Sequence, residues 1–152
     1  MSEHRATVEW TASGGPFTEN RYGRAHRLRF DGGAEVLASA SPQVVPEPMS
    51  DPAGVDPEEM LIASASSCHM LWFLDLARQA GLDVASYRDE ASGTLGRGAD
   101  GRIAITRIVL RPRIAFAGEA PAAAALERLH HKAHERCFIA NSLKSEIVVE
   151  PA

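Results

Sequence analysis

Between Asp56 and Gly81 the chain carries one stretch with few structural solutions. Asp56-Pro57-Glu58-Glu59 is a helix start, with aspartate as N-cap, proline at the first helical position and glutamate three residues beyond the cap. From Met60 to Leu74 no Asp, Glu, Lys or Arg interrupts the run, and Gly81 supplies the stop. The spacing predicts one helix running to about Ala80. Leu61, Ala65, Cys68, Trp72 and Leu76 recur at intervals of three and four, while Met60, Ile62, Met70, Leu71, Phe73 and Leu74 fill most other faces. A helix apolar nearly all round is expected to be surrounded by protein. Its serines and His69 make the charge-free run shorter and more polar than a bilayer crossing requires, so a buried core helix is predicted rather than a membrane span.

The flanks read as β-structure. Ala6 to Trp10 and Arg24 to Phe30 alternate, with His26, Leu28 and Phe30 on one side and Arg27 and Arg29 on the other. Ala12 to Gly23 and the proline-rich Ser39 to Val55 are loops, and a long loop in so small a chain is expected to rim a site. Beyond Gly81 a strand from Val84 to Leu95, a turn at Asp100-Gly101 and a long strand from Arg102 to Ala115 predict a hairpin, with Ala104, Thr106, Ile108, Leu110 and Ile114 sharing a face. Pro121 opens a second helix to about Cys137, and Glu146 to Glu150 forms a last strand. The class is α+β.

Composition narrows the function. With 152 residues, 45% of them hydrophobic, the chain suits a single domain spanning 1–152 with an adequate core. A formal charge of −4 and 6% aromatic residues argue against nucleic-acid binding, which needs a basic face and stacking platforms. Met1 to Trp10 holds no apolar run, so no secretory signal is predicted and a cytoplasmic location is expected. Two cysteines 69 positions apart, Cys68 and Cys137, then point to chemistry or plain burial rather than a structural disulfide framework.

Several motifs have ordinary explanations. Gly96-Arg97-Gly98-Ala99-Asp100-Gly101 matches a dinucleotide fingerprint but is followed by a strand, so it reads as a hairpin turn. Ser64, Ser66 and Ser67 lack a nucleophile elbow and read as small packing residues. His130, His134 and Cys137 have metal-ligand spacing on one helix face, which makes a zinc site or a non-catalytic redox sensor the alternative function. A mid-helix cysteine such as Cys68 is usually inert, because apolar burial raises a thiol pKa. It would need a cation brought from elsewhere, and the N-terminal loop supplies Arg21 and Arg24. His69 turns about 100° from Cys68 on the helix and is expected to be a packing or interface residue.

Taken together, the acidic helix opening, Ala65-Ser66-Ser67-Cys68-His69 within the helix, and Lys132-Ala133-His134-Glu135-Arg136-Cys137 followed by Asn141-Ser142-Leu143-Lys144 resemble the osmotically inducible protein C and organic hydroperoxide resistance (OsmC/Ohr) proteins. The resemblance spans nearly the whole chain. It implies antiparallel sheets wrapped around a long buried helix, in an intertwined homodimer with active sites at the subunit interface. It also implies a thiol peroxidase for organic hydroperoxides, with Cys68 attacking, Cys137 resolving through a Cys68–Cys137 disulfide, and no metal or flavin cofactor. The reductant would be a small dithiol or a lipoylated protein. In the family a loop arginine, held by the glutamate of the Pro-Glu motif, sustains the thiolate; here that glutamate is Glu58 and the arginine is Arg21 or Arg24, with Arg21 favoured. Glu58 and Cys68 are ten residues apart, about 15 Å along one helix axis, so a Glu58 that serves Cys68 must come from another subunit. Phe138 stands where many relatives have proline after the second cysteine, so the second helix is expected to continue past Cys137.

Overall fold

A computed structural model describes residues 1–150. The chain divides into two compact units, Met1–Met60 and Leu61–Ala152.

The N-terminal unit is built on three strands, β1 (Ala6–Glu9), β2 (His26–Phe30) and β3 (Glu35–Ala38), in the order β1-β2-β3. Both pairings are antiparallel, with Val8 opposite Leu28 and Leu28 opposite Val36. The strand β3 is an addition to the sequence reading. It follows β2 through a tight turn in which Gly33 takes φ +87°, a backbone state that costs other residues a steric penalty. The loop after it is tied down by Ser39, whose hydroxyl accepts from the Asp51 N–H at 2.9 Å, and by a bridge between Ala38 and Val55.

Helix α1 (Pro57–Gln79) begins as the sequence dictates. The Asp56 carboxylate accepts from the Glu59 N–H at 2.7 Å, while the Glu59 carboxylate accepts from the Asp56 N–H at 3.0 Å, a reciprocal capping box. Asp56→Ala should lower stability by about 1 kcal/mol, measured as a shift in denaturant midpoint without a change in slope. Gly81, at φ +74°, ends the helix.

The C-terminal unit contains β4 (Val84–Asp89), β5 (Ser92–Arg97), β6 (Ile103–Leu110), β7 (Pro112–Phe116), α2 (Ala123–Arg136), α3 (Phe138–Ser142) and β8 (Glu146–Val149). The expected hairpin exists, but each long arm is broken in two, so that β4 pairs with β7 in one sheet and β5 with β6 in another. The break has a local cause. The Arg111 N–H donates to the Asp89 carboxylate at 2.6 Å instead of to a ladder, and Pro112 has no N–H to offer. The glycine-rich segment is a hairpin turn, with Gly101 at φ +79°. Strand β8 joins β6 in parallel, Ile108 opposite Ile147, where only antiparallel pairing was expected.

Two clusters form the core of this unit. Phe73, Leu76 and Ala77 of α1 meet Ala133 of α2, with Tyr87, Ile114 and Leu129 around them. Ala65 of α1 meets Ile108 and Leu110 of β6, flanked by Ile62, Ile139 and Ile147. The buried stripe of α1 is therefore Ala65, His69, Phe73, Leu76 and Ala77, turned away from the face read in the sequence. Within the chain α1 is not enclosed: Cys68 and Trp72 are half-buried and Leu71 is 60% exposed. Contrary to the sequence reading, length and composition alone would let α1 cross a membrane. Its inner stripe is instead occupied by sheet and helix contacts. Phe73 is fully buried, so Phe73→Ala should cost roughly 3–5 kcal/mol through lost transfer energy and an unfilled cavity. Thermal unfolding should then fall by roughly 6–20 °C.

Candidate functional site

The two cysteines, far apart in sequence, are brought together in the C-terminal unit. Cys68 projects from the middle of α1, half-buried, and Cys137 lies at the junction of α2 and α3, fully buried; both are free thiols. Burial, reinforced by a hydrogen bond with Cys68, pushes the Cys137 thiol up to about 11. Cys137 therefore stays protonated at neutral pH and can supply that hydrogen to its neighbour.

The junction corrects one expectation. Helix α2 does not continue past Cys137, although phenylalanine rather than proline follows. Cys137 takes an extended ψ of 109°, its N–H closes the last turn on His134 O at 3.2 Å, and its sulfur accepts from the Ala140 N–H at 3.3 Å as the N-cap of α3. The sulfur thus sits at a chain reversal, held by the backbone of the next element. Phe138 turns outward, 68% exposed, with its ring edge-on to Trp72 at 5.5 Å between centroids. Trp72 is one helical turn beyond Cys68, so an aromatic pair flanks the two thiols, with the Arg136 guanidinium 5.7 Å from the Trp72 ring.

A second contact between α1 and α2 lies beside the first. His69 Nε2 and His130 Nδ1 are 3.0 Å apart in nearly parallel rings, and His130 stacks on Phe73 at 4.5 Å. Burial lowers both imidazoles to about 4, so both are neutral at pH 7. His134 and His130 push His69 the same way, whereas the Asp89 carboxylate opposes the effect on His130. Asp89 itself accepts from the Ser66 hydroxyl and from the Arg111 N–H. His69 is a packing residue, as expected, but its pairing with His130 was not legible, because two histidines 61 positions apart carry no mutual signal.

The structure does not bring the three residues of the zinc alternative together as a ligand set. Among the described residues no three metal-ligating side chains cluster, His130, His134 and Cys137 included. A groove of about 780 Å³ runs between α2 and β8, lined by Leu126, His134, Ile147 and Val149 among others, but neither cysteine lines it.

Arg21, Arg24 and Glu58 belong to the N-terminal unit. Arg24 is held there: its guanidinium donates to the Tyr22 carbonyl and to Asn20 Oδ1 at 2.6 Å, and lies 3.6 Å over the Tyr22 ring. Tyr22 in turn packs against Phe17 and Trp10. Arg21 has one exposed ion pair with Glu19 at 2.8 Å and a side chain 67% exposed. Glu58 is half-buried in the first turn of α1, where the helix dipole suits a carboxylate.

The fold that carries these two thiols belongs to a known class. A family model described as OsmC-like protein matches residues 50–152. The chain is similar over its whole length, and over the whole of the other chain, to an OsmC-like protein of unknown function from Vibrio cholerae, at 51% identity and a TM-score of 0.96. It belongs to the OsmC-like family. An organic hydroperoxide resistance protein from Elizabethkingia anophelis shares the fold at 18% identity and a TM-score of 0.67, covering 99% of this chain and 95% of that one. The organic hydroperoxide resistance protein OhrB of Bacillus subtilis does so at 19% identity and 0.66, covering 97% and 98%. No curated protein matches the chain.

Proposed function

We propose that the chain is a cysteine-based organic hydroperoxide reductase. The observation that carries this reading is the approach of its only two thiols, one half-buried on α1 and one buried after α2, close enough for Cys68 to help hold the proton on Cys137. The Cys68 sulfur attacks the terminal oxygen of ROOH. The O–O bond breaks, RO⁻ leaves and takes a proton to become the alcohol, and Cys68 becomes a sulfenic acid. Cys137 then attacks the Cys68 sulfur; its thiol proton goes to the departing hydroxide, giving water and a Cys68–Cys137 disulfide. A dithiol, free or on a lipoylated protein, returns both thiols by exchange. Overall, ROOH and a dithiol become ROH, water and a disulfide.

The surroundings of the thiols suit an organic rather than an inorganic peroxide, since Leu71, Trp72 and Phe138 offer apolar surface to R. The activating cation is proposed to be Arg21, steadied by Glu58, in a homodimer where a second copy supplies what one helix cannot span. Arg21 is preferred over Arg24 because a single exposed ion pair contributes little and releases easily, whereas Arg24 is fixed by two acceptors and a ring. A cytoplasmic site of action is part of the same proposal. The test is steady-state consumption of cumene hydroperoxide and hydrogen peroxide with dithiothreitol as reductant. Preference for the organic substrate, lost in Arg21→Ala and kept in Arg24→Ala, supports the assignment. Disulfide formation without renewed turnover would instead mark a redox sensor.

A further inference from the structure

We propose that the buried His69–His130 pair is a positioning device for the second half of this reaction, setting α2 across α1 so that Cys137 meets the oxidised sulfur of Cys68. The inference rests on the peroxidase reading and adds residues that do not touch substrate.

The geometry of two contacts carries it. Cys68 and His69 are neighbours on α1, about 1.5 Å apart along its axis, while their partners are His130 on α2 and Cys137 at its C-cap, seven residues on and about 10 Å further along that helix. Two helices can satisfy both contacts only if α2 crosses α1 instead of running beside it. The thiol contact alone would leave the crossing free to pivot; a second, directional contact two turns back removes that freedom. Apolar packing around Phe73 and Ala133 fills the space but tolerates slippage, whereas rings joined at 3.0 Å and inclined by only 8° have one register.

The pair is also poorly explained by stability. Two neutral imidazoles carry two ring hydrogens on four nitrogens, and one hydrogen serves the shared bond. The outer atoms, His69 Nδ1 and His130 Nε2, are buried and have no protein partner among the described residues. Two leucines would avoid that penalty, so a polar pair here buys register rather than strength. Register is what disulfide closure needs, since a displacement of about 1 Å can slow a positioned reaction by about 10²-fold.

The experiment follows the two steps separately after one equivalent of cumene hydroperoxide. Sulfenic acid is trapped with dimedone, and Cys68–Cys137 linkage is timed by quenched-flow mass spectrometry. His69→Leu keeps the volume and removes the bond; it should leave sulfenic acid formation within about twofold and slow linkage about tenfold or more. His69→Gln, whose amide reaches the same position as Nε2, should recover most of the linkage rate. Equal linkage rates in wild type and His69→Leu overturn the proposal, as does failure of His69→Gln to improve on His69→Leu. Should His69→Leu not fold, imidazole nitrogen resonances of the wild type decide. A hydrogen-bonded pair whose shifts move on disulfide formation supports the device, and shifts blind to the disulfide overturn it. If wild type forms no sulfenic acid at all, it is the peroxidase reading that fails.

Discussion

Cys68→Ser is expected to lower hydroperoxide turnover by on the order of 10³-fold or more, because it removes the group that takes the peroxide oxygen. A serine hydroxyl is scarcely ionised at neutral pH, and the remaining thiol, Cys137, is fully buried with its proton held by burial and by its neighbour. Cys137→Ser should behave differently. The first equivalent of hydroperoxide is still consumed, Cys68 sulfenic acid accumulates and adds dimedone, and only renewal by dithiol suffers. Peroxide consumption, with adduct mass as a second readout, checks both variants. A Cys68→Ser protein that retains a tenth of wild-type turnover would remove Cys68 from the mechanism.

Acid should destabilise the fold well above the range where carboxylates titrate. His69 and His130 are lowered by burial to about 4 in the folded chain, against about 6.5 when exposed in the unfolded chain. Between those values the unfolded state binds more protons, so stability rises with pH across the window and is lost as pH falls through it. The loss is complete only below the folded value. Unfolding free energy measured from pH 7.5 to 4 should therefore fall steadily below about 6.5, and His69→Leu should flatten the slope. Stability independent of pH between 6.5 and 4.5 would mean that these rings are solvated or already charged.

How far the sequence could be read depends on the range of each interaction. The start of α1 was legible because its capping box is closed by residues three apart, Asp56 and Glu59. The end was legible because only glycine enters φ +74° freely. The orientation of α1 was not: a helix apolar on nearly every face has little contrast, and the stripe through His69 and Phe73 was displaced in favour of one through Cys68 and Trp72. The broken hairpin arms escaped for another reason. Asp89 captures the Arg111 N–H from 22 positions away, and alternation of side chains says nothing about a backbone donor diverted by a carboxylate. Strand β8 is a short apolar run, Ile147-Val148-Val149, too short to show which way it pairs, so its parallel registration on β6 had no local mark.

The site divides in the same way. The two cysteines stood out by their rarity and by the motifs around them. The clasp of His69 on His130 did not, since one looked like packing and the other like part of a metal-ligand series. Phe138 leaves the position open to continued helix as far as the sequence goes, whereas a sulfur cap and one extended ψ suffice to stop α2. These contacts are tertiary and exist only once α1 and α2 cross.

The central claim is that Cys68 and Cys137 form a redox couple driven by organic hydroperoxide. Reduced protein mixed with a limiting amount of cumene hydroperoxide and digested without reductant tests it most directly. The account predicts one Cys68–Cys137 cross-linked peptide per hydroperoxide consumed, formed faster than with hydrogen peroxide and reversed by a dithiol. Recovery of both cysteines as free thiols after the hydroperoxide has been offered, or oxidation of Cys137 alone, would contradict it.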